Sequence, residues 1–229
     1  MTTGDDPILA ALAMRALESV RDGAVVGLGS GRAASAFVRA LGRRLGEGLR
    51  VRAVPTSEAT GALARQYGIP LVGLDDVAGI DVTVDGADEV DPHLDLIKGY
   101  GGALVREKVV AAASHEVIIV VGSEKLVPVL GSRGIVPVAV LPFALGFCRR
   151  RLAALGCRPQ LRNAGGQPFV SDGGSYILDC GVDQIREPRR LDDSIRAIPG
   201  VVGTGLFLDI ADRVLVGESS GVRELRRAP

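Results

Sequence analysis

The feature that most constrains this chain is a rhythm. Through its first half, short apolar runs alternate with stretches of helical periodicity. "AVVGLGSG" reads as a buried strand ending in glycines, and "RAASAFVRALGRRL" follows it with apolar positions at helical spacing. "VRAV" predicts a second strand, closed by Pro55, and "SEATGALARQYG" a second helix, ended by Gly68. "IPLVGL" and "IDVTV" are further strand candidates, "GGALVREKVVAAAS" is helical, and "EVIIVV" is the most strand-like run of all. Strands that alternate with helices bury both faces of a parallel sheet.

After Gly131 the order changes to strand, helix, strand, strand, helix, strand. The runs are "GIVPVAVL", "FALGFCRRRLAAL", "CRPQLRN", "SYILDCGV", "RRLDDSIRAI" and "VVGTGLFL". That order is the split ferredoxin-like unit. "RVLVGESSGV" then offers one more strand to rejoin the first sheet. The expected fold is therefore α/β: a Rossmann-like parallel-sheet domain over 1–130 plus 208–229, with an α+β ferredoxin-like domain inserted over 131–207.

Composition narrows the function classes. In 229 residues, 47% are hydrophobic, enough for a real core, and 27 basic residues balance 27 acidic ones. A neutral chain lacks the electrostatic footprint of a nucleic-acid binder. Cys148, Cys157 and Cys180 are too far apart for a zinc knuckle and too few for a disulfide framework, so they read as reduced, small apolar residues. The opening "MTTGDDPILAALAMRALESV" has no basic leader, and no apolar run approaches a membrane span. A cytoplasmic protein with neither nucleic-acid nor membrane partners is expected.

Three segments could carry chemistry. "GLGSGRAAS" (27–35) sets glycines between strand and helix, where backbone N–H groups can face an anion. A dinucleotide would need an acid at the end of the next strand, and that strand runs instead into Pro55-Thr56-Ser57. A lone phosphate is the remaining candidate ligand. In "VDGADEVD", Asp85 and Asp88 fall just past the C-terminal end of a strand, where open α/β sheets place ligands. A solvated acidic loop would equally account for Glu89, Asp91 and Asp95. Asp81, Thr83, Asp85 and Gly86 match the start of a calcium loop, but its twelfth position is Pro92, which has no carboxylate. In "IKGYGGALVREK", Lys98 precedes a glycine-rich loop and Glu107 lies in the helix after it. Taken singly, each would be an ordinary surface charge. Taken together, the segments hold an anion loop, two carboxylates, a cation and a further carboxylate. That inventory suits proton transfer beside the carbonyl of a phosphorylated substrate.

"VVGLGSG", "PTSEAT", "VDGADEVD", "LIKGYGGALVREKVVA", "GSEKLV" and "IPGVVGTGLF" follow one another at separations that resemble ribose-5-phosphate isomerase of the A type, over essentially the whole chain. The resemblance implies interconversion of D-ribose 5-phosphate and D-ribulose 5-phosphate through an enediolate, in the non-oxidative pentose phosphate branch, with no cofactor and no metal. It implies that Glu107 moves the proton and that Lys98 stabilises charge on the carbonyl oxygen. Asp85 and Asp88 would hold sugar hydroxyls and assist ring opening. It further implies substrate contacts from Ser30, Gly31, Arg32 and Ala33, from Asp85, Gly86, Ala87 and Asp88, from Lys98, Gly99, Tyr100 and Gly101, and from Lys125, in a homodimer or homotetramer.

The chain departs from the family at Arg32-Ala33, where relatives commonly carry two hydroxyl residues, at Tyr100 in place of glycine, and in an N-terminal helix without lysine. Arg32 either grips phosphate or faces solvent. His93 and His115 read as structural or surface residues. The rival functions are isomerisation of another phosphorylated sugar, sugar-phosphate sensing without catalysis, and acyl transfer on the same fold. A sensor would have no reason to keep both Glu107 and Lys98, and acyl transfer rests on fold analogy alone.

Overall fold

The computed structural model describes residues 6–227. The acidic opening of residues 1–5 lies outside the described residues. The chain runs α1 (Pro7–Leu17), β1 (Val25–Leu28), α2 (Arg32–Gly46), β2 (Arg52–Pro55), α3 (Glu58–Gln66), β3 (Ile80–Asp85), β4 (Glu89–Val90), β5 (Leu96–Ile97), α4 (Leu104–Ala112) and β6 (Ser114–Gly122). It continues through β7 (Ile135–Val140), α5 (Leu145–Ala154), β8 (Arg158–Leu161), β9 (Asn163–Ala164), β10 (Gln167–Pro168), β11 (Tyr176–Gly181), α6 (Pro188–Arg196), β12 (Val201–Thr204), β13 (Leu206–Phe207), β14 (Arg213–Glu218) and β15 (Gly221–Arg226). Two compact units result. Among the described residues, the first holds 6–87, 107–125 and 210–227; the second holds 88–106 and 126–209.

The first unit is built on a six-stranded sheet in the order β15-β14-β6-β3-β1-β2. Its pairs are parallel except for the β14–β15 hairpin, so the tail does rejoin the first sheet. Val26 and Leu28 of β1 face one side, packed with Leu12 of α1, Phe37 and Leu41 of α2 and Ala64 of α3. Val25, one residue out of phase, faces the other side with Val54 and with Val110 of α4. Between β1 and β3 the chain reverses its direction of travel across the sheet, and ligands of open α/β sheets bind at such a point. The run "IPLVGL" forms no strand; only a single bridge, Ala53 to Leu71, remains of it.

The second unit contains the expected ferredoxin-like sheet, ordered β12-β7-β11-β8 and antiparallel throughout. Its core joins Val136, Val138 and Val140 of β7 to Cys148 and Leu152 of α5, Cys180 of β11 and Ile195 of α6. The three cysteines are free and buried, as small apolar residues would be. A separate three-stranded sheet, β13-β5-β4, holds the residues around Lys98. Segment 88–106 thus clusters with the second unit, whereas the sequence reading keeps it with the parallel sheet. Among the described residues, no helix is long and apolar enough to cross a membrane.

Candidate active site

In the first unit the chemistry gathers where β1 and β3 end side by side. Asp85, the last residue of β3, is 2% exposed. Its Oδ1 accepts the Ser30 N–H at 3.0 Å and the Gly86 N–H at 2.7 Å. Gly29 permits this approach, since a Cβ there would lie 2.2 Å from Asp85 Oδ1 and 2.4 Å from Asp85 Cα. Two glycines of the anion-loop motif therefore serve strand packing as well, because a Cβ at Gly27 would collide with Thr83.

Ser30 belongs to a cluster of hydroxyls that the sequence reading did not assemble. Its Oγ lies 2.8 Å from Thr56 Oγ1, 2.9 Å from Ser57 Oγ and 3.3 Å from Thr60 Oγ1. Ser57 also caps α3 by accepting the Thr60 N–H at 3.1 Å, and Thr60 Oγ1 donates to the Gly29 carbonyl at 3.0 Å. The available signal was the pairing of β1 with β2, whose register sets Leu28 beside Pro55 and so brings "PTSEAT" next to "GLGSG".

Gly31 precedes α2 at φ +93° with no side-chain cap. Arg32 then turns outward: its side chain is 79% exposed and its Nη2 lies 3.7 Å from Asp6. Ala33 is half-buried in the first turn of α2. Lys125 is half-buried in the short turn Ser123–Lys125. Glu107 sits in the first turn of α4, where the helix dipole favours negative charge, and it is 5% exposed. It is not the solvated mid-helix acid that the adjoining Lys108 suggests.

In the second unit the β4–β5 hairpin does the placing. Glu89 pairs with Ile97, and Asp88 N–H donates to the Ile97 carbonyl at 2.8 Å, so the register sets Asp88 opposite Lys98. Lys98 is 3% exposed; its N–H donates to the Gly205 carbonyl at 2.8 Å, and its Nζ lies 5.5 Å from the centre of the Phe207 ring. The Tyr100 N–H donates to Asp88 Oδ2 at 3.0 Å. The Tyr100 side chain is partly exposed, and burial, followed by the charges of Glu89 and Asp88, pushes its hydroxyl up to about 12. Gly99 is buried at φ +109°, and Gly101 is exposed.

The acidic cluster is not a solvated loop. Glu89 is fully buried, accepting the Gly131 N–H at 2.7 Å and the Arg133 N–H at 2.6 Å. Asp91 accepts the N–H groups of His93 and Asp95, each at 2.9 Å, and its burial raises its carboxyl above the usual range. Asp95 accepts the Asp209 N–H at 2.8 Å. These three acids hold loops together. Asp81 and Asp85 stand at opposite ends of β3, about 13 Å apart at strand rise, so they cannot share one ion as a calcium loop requires. His93 and His115 are exposed, and among the described residues no group of three or more His, Cys, Asp or Glu could hold a metal ion.

Comparison with known proteins identifies the family. The family model "Ribose 5-phosphate isomerase A (phosphoriboisomerase A)" matches residues 52–221. Ribose-5-phosphate isomerase A of Sphingopyxis alaskensis is 48% identical, with 94% of each chain covered. Among solved structures, ribose 5-phosphate isomerase A of Methanocaldococcus jannaschii is 39% identical, with a TM-score of 0.92 over 96% of this chain and 98% of that one. A D-ribose-5-phosphate isomerase in complex with phospho-erythronic acid is 38% identical, with a TM-score of 0.93 over the same shares. The chain belongs to the ribose 5-phosphate isomerase A family.

Proposed function

We propose that this protein interconverts D-ribose 5-phosphate and D-ribulose 5-phosphate by moving a proton between C2 and C1 through an enediolate. The reaction needs one base able to serve both carbons and a positive group for the oxygen that becomes negative. Glu107 is the base in this reading and Lys98 is the positive group. The observation that carries the assignment is their burial, 5% and 3% exposed, because charged side chains seldom leave water without a task. Asp85 and Asp88 hold the sugar hydroxyls and help open the furanose ring, each carboxylate oriented by backbone N–H donors.

The Ser30–Ala33 loop, with the hydroxyls of Thr56, Ser57 and Thr60 behind it, meets the phosphate end of the substrate. Lys125 adds a charge. Arg32 stays outside this set, since its side chain faces solvent and Asp6. A relative's complex with phospho-erythronic acid supports a phosphorylated sugar as the ligand class.

The test is an assay of purified protein against a panel of aldose phosphates. Turnover of ribose 5-phosphate above all others is expected; turnover of a different sugar phosphate, with none on ribose 5-phosphate, would overturn the substrate. We also propose that the chain works in the cytoplasm as a homodimer or homotetramer. Exposed Leu141, Phe143 and Phe147 supply an apolar surface for that association. A monomer in light scattering, or enzyme in the membrane fraction of cells, would contradict this.

A further inference from the structure

We propose that Arg162 is a positioning residue that holds the loop after Lys98, and through it the carboxylate of Asp88. The inference rests on the reading of Lys98 and Asp88 as site residues. That loop, Gly99-Tyr100-Gly101-Gly102, contains three glycines, with φ of +109° at Gly99 and +87° at Gly102. Within the loop one turn bond, from the Gly102 N–H to the Gly99 carbonyl at 2.9 Å, limits this freedom, and a group outside the loop fixes the rest.

Arg162 does so from the end of β8. Its Nη1 donates to the Gly99 carbonyl at 3.0 Å and to the Tyr100 carbonyl at 2.9 Å. The guanidinium is itself held: Nε donates to Asp179 Oδ2 at 2.9 Å, and Nη2 donates to Asp179 Oδ1 in the same fork. The guanidinium carbon lies over the Phe169 ring, 5.8 Å from its centre. Phe169 in turn packs where a Cβ at Gly102 would be 2.5 Å from its ring. With side chains only 15% and 26% exposed, Arg162 and Asp179 form a pair largely withdrawn from solvent screening.

The consequence follows from the planarity of a trans peptide, in which C=O and N–H point opposite ways. The Gly99 carbonyl and the Tyr100 N–H share one peptide plane. With the carbonyl turned to Arg162, the N–H is turned the other way, and it meets Asp88 Oδ2 at 3.0 Å. The next plane is set likewise: the Tyr100 carbonyl faces Arg162, so the Gly101 N–H points away from it. One side chain therefore aims two peptide N–H groups, and one of them orients a carboxylate of the candidate site.

Full-length Arg162→Ala, Arg162→Lys and Asp179→Asn test this by steady-state kinetics alongside thermal unfolding. Arg162→Ala is expected to lower kcat about 10²-fold, the cost of a misplaced group, with KM within about threefold and the fold retained. Lysine keeps the charge but cannot reach both carbonyls while holding the Asp179 fork, so Arg162→Lys should recover no more than about a tenth of wild-type kcat. Asp179→Asn should lose about tenfold, less than the alanine variant, the order expected for weakening one charged hydrogen bond. The proposal is overturned if folded Arg162→Ala keeps kcat within about threefold, if only KM changes, or if lysine restores full turnover. Should the alanine variant not fold, Arg162→Lys decides by the same kcat criterion. The ratio of variant to wild type is read on whichever sugar phosphate the wild type turns over. A wrong substrate assignment therefore shows in the wild type, and a wrong role for Arg162 shows in the ratio.

Discussion

Gly29 and Gly31 stand two residues apart in one loop, yet their glycines answer different needs. At Gly29 an added Cβ would meet the Asp85 backbone at 2.4 Å, and a Cα cannot rotate aside. At Gly31, among the described residues, no atom comes within 4 Å of such a Cβ, and only the φ of +93° opposes it. Gly29→Ala is therefore expected to cost about 1–3 kcal/mol by overpacking and to lower turnover by displacing Asp85. Gly31→Ala should cost about 1–3 kcal/mol from backbone strain alone, since φ +93° with ψ −178° is a conformation nearly reserved for glycine, and should leave Asp85 in place. Kinetics separates the two variants, because only the Cβ at position 29 meets Asp85; equal losses of turnover would contradict the packing argument. The sequence offers this loop as a candidate anion site but cannot show that Gly27 and Gly29 also admit β3, because that depends on which strands are neighbours. The same gap hid Thr56, Ser57 and Thr60, whose hydroxyls reach Ser30 only once β1 and β2 pair. Arg32 was open between phosphate and solvent; its helix position puts it in solvent beside Asp6.

Elements long enough to show a period were legible, and two-residue elements were not. β4 and β5 are each too short for alternation, and β13 pairs with β5 from more than a hundred residues away. "VVGTGLFL" reads as one strand but is two. Gly205 sits where a Cβ would be 2.3 Å from the Lys98 carbonyl and 2.8 Å from Pro137, and beyond it the chain joins a different sheet. The Lys98 hairpin is anchored by Glu89, which the sequence could not distinguish from a surface acid. Removing that carboxylate leaves two N–H groups, of Gly131 and Arg133, without their acceptor. Glu89→Ala should cost about 2–4 kcal/mol in denaturant unfolding, and Glu89→Gln, with one acceptor oxygen left, clearly less. A loss under 1 kcal/mol for alanine would show that Glu89 is not the anchor described.

For the molecule as a whole, the alternation of strand and helix carried the α/β sheet, and the strand–helix–strand–strand–helix–strand order carried the ferredoxin-like unit. Both arise from periods of 2 and 3.6 repeated over many residues, which survive reading in one dimension. Burial of single charges does not. Glu107 and Lys98 look like surface residues by their neighbours in sequence and are among the least exposed charged groups of the described chain. Resemblance to the family implies a role for them, and their burial is the physical ground on which that role is proposed. The direct test is kcat on ribose 5-phosphate for Glu107→Gln, which keeps the shape of the side chain and removes its basicity. The account predicts a fall of roughly 10²–10⁴-fold in a variant that unfolds at nearly the wild-type temperature, with KM little changed. Turnover within a few-fold of wild type would contradict it.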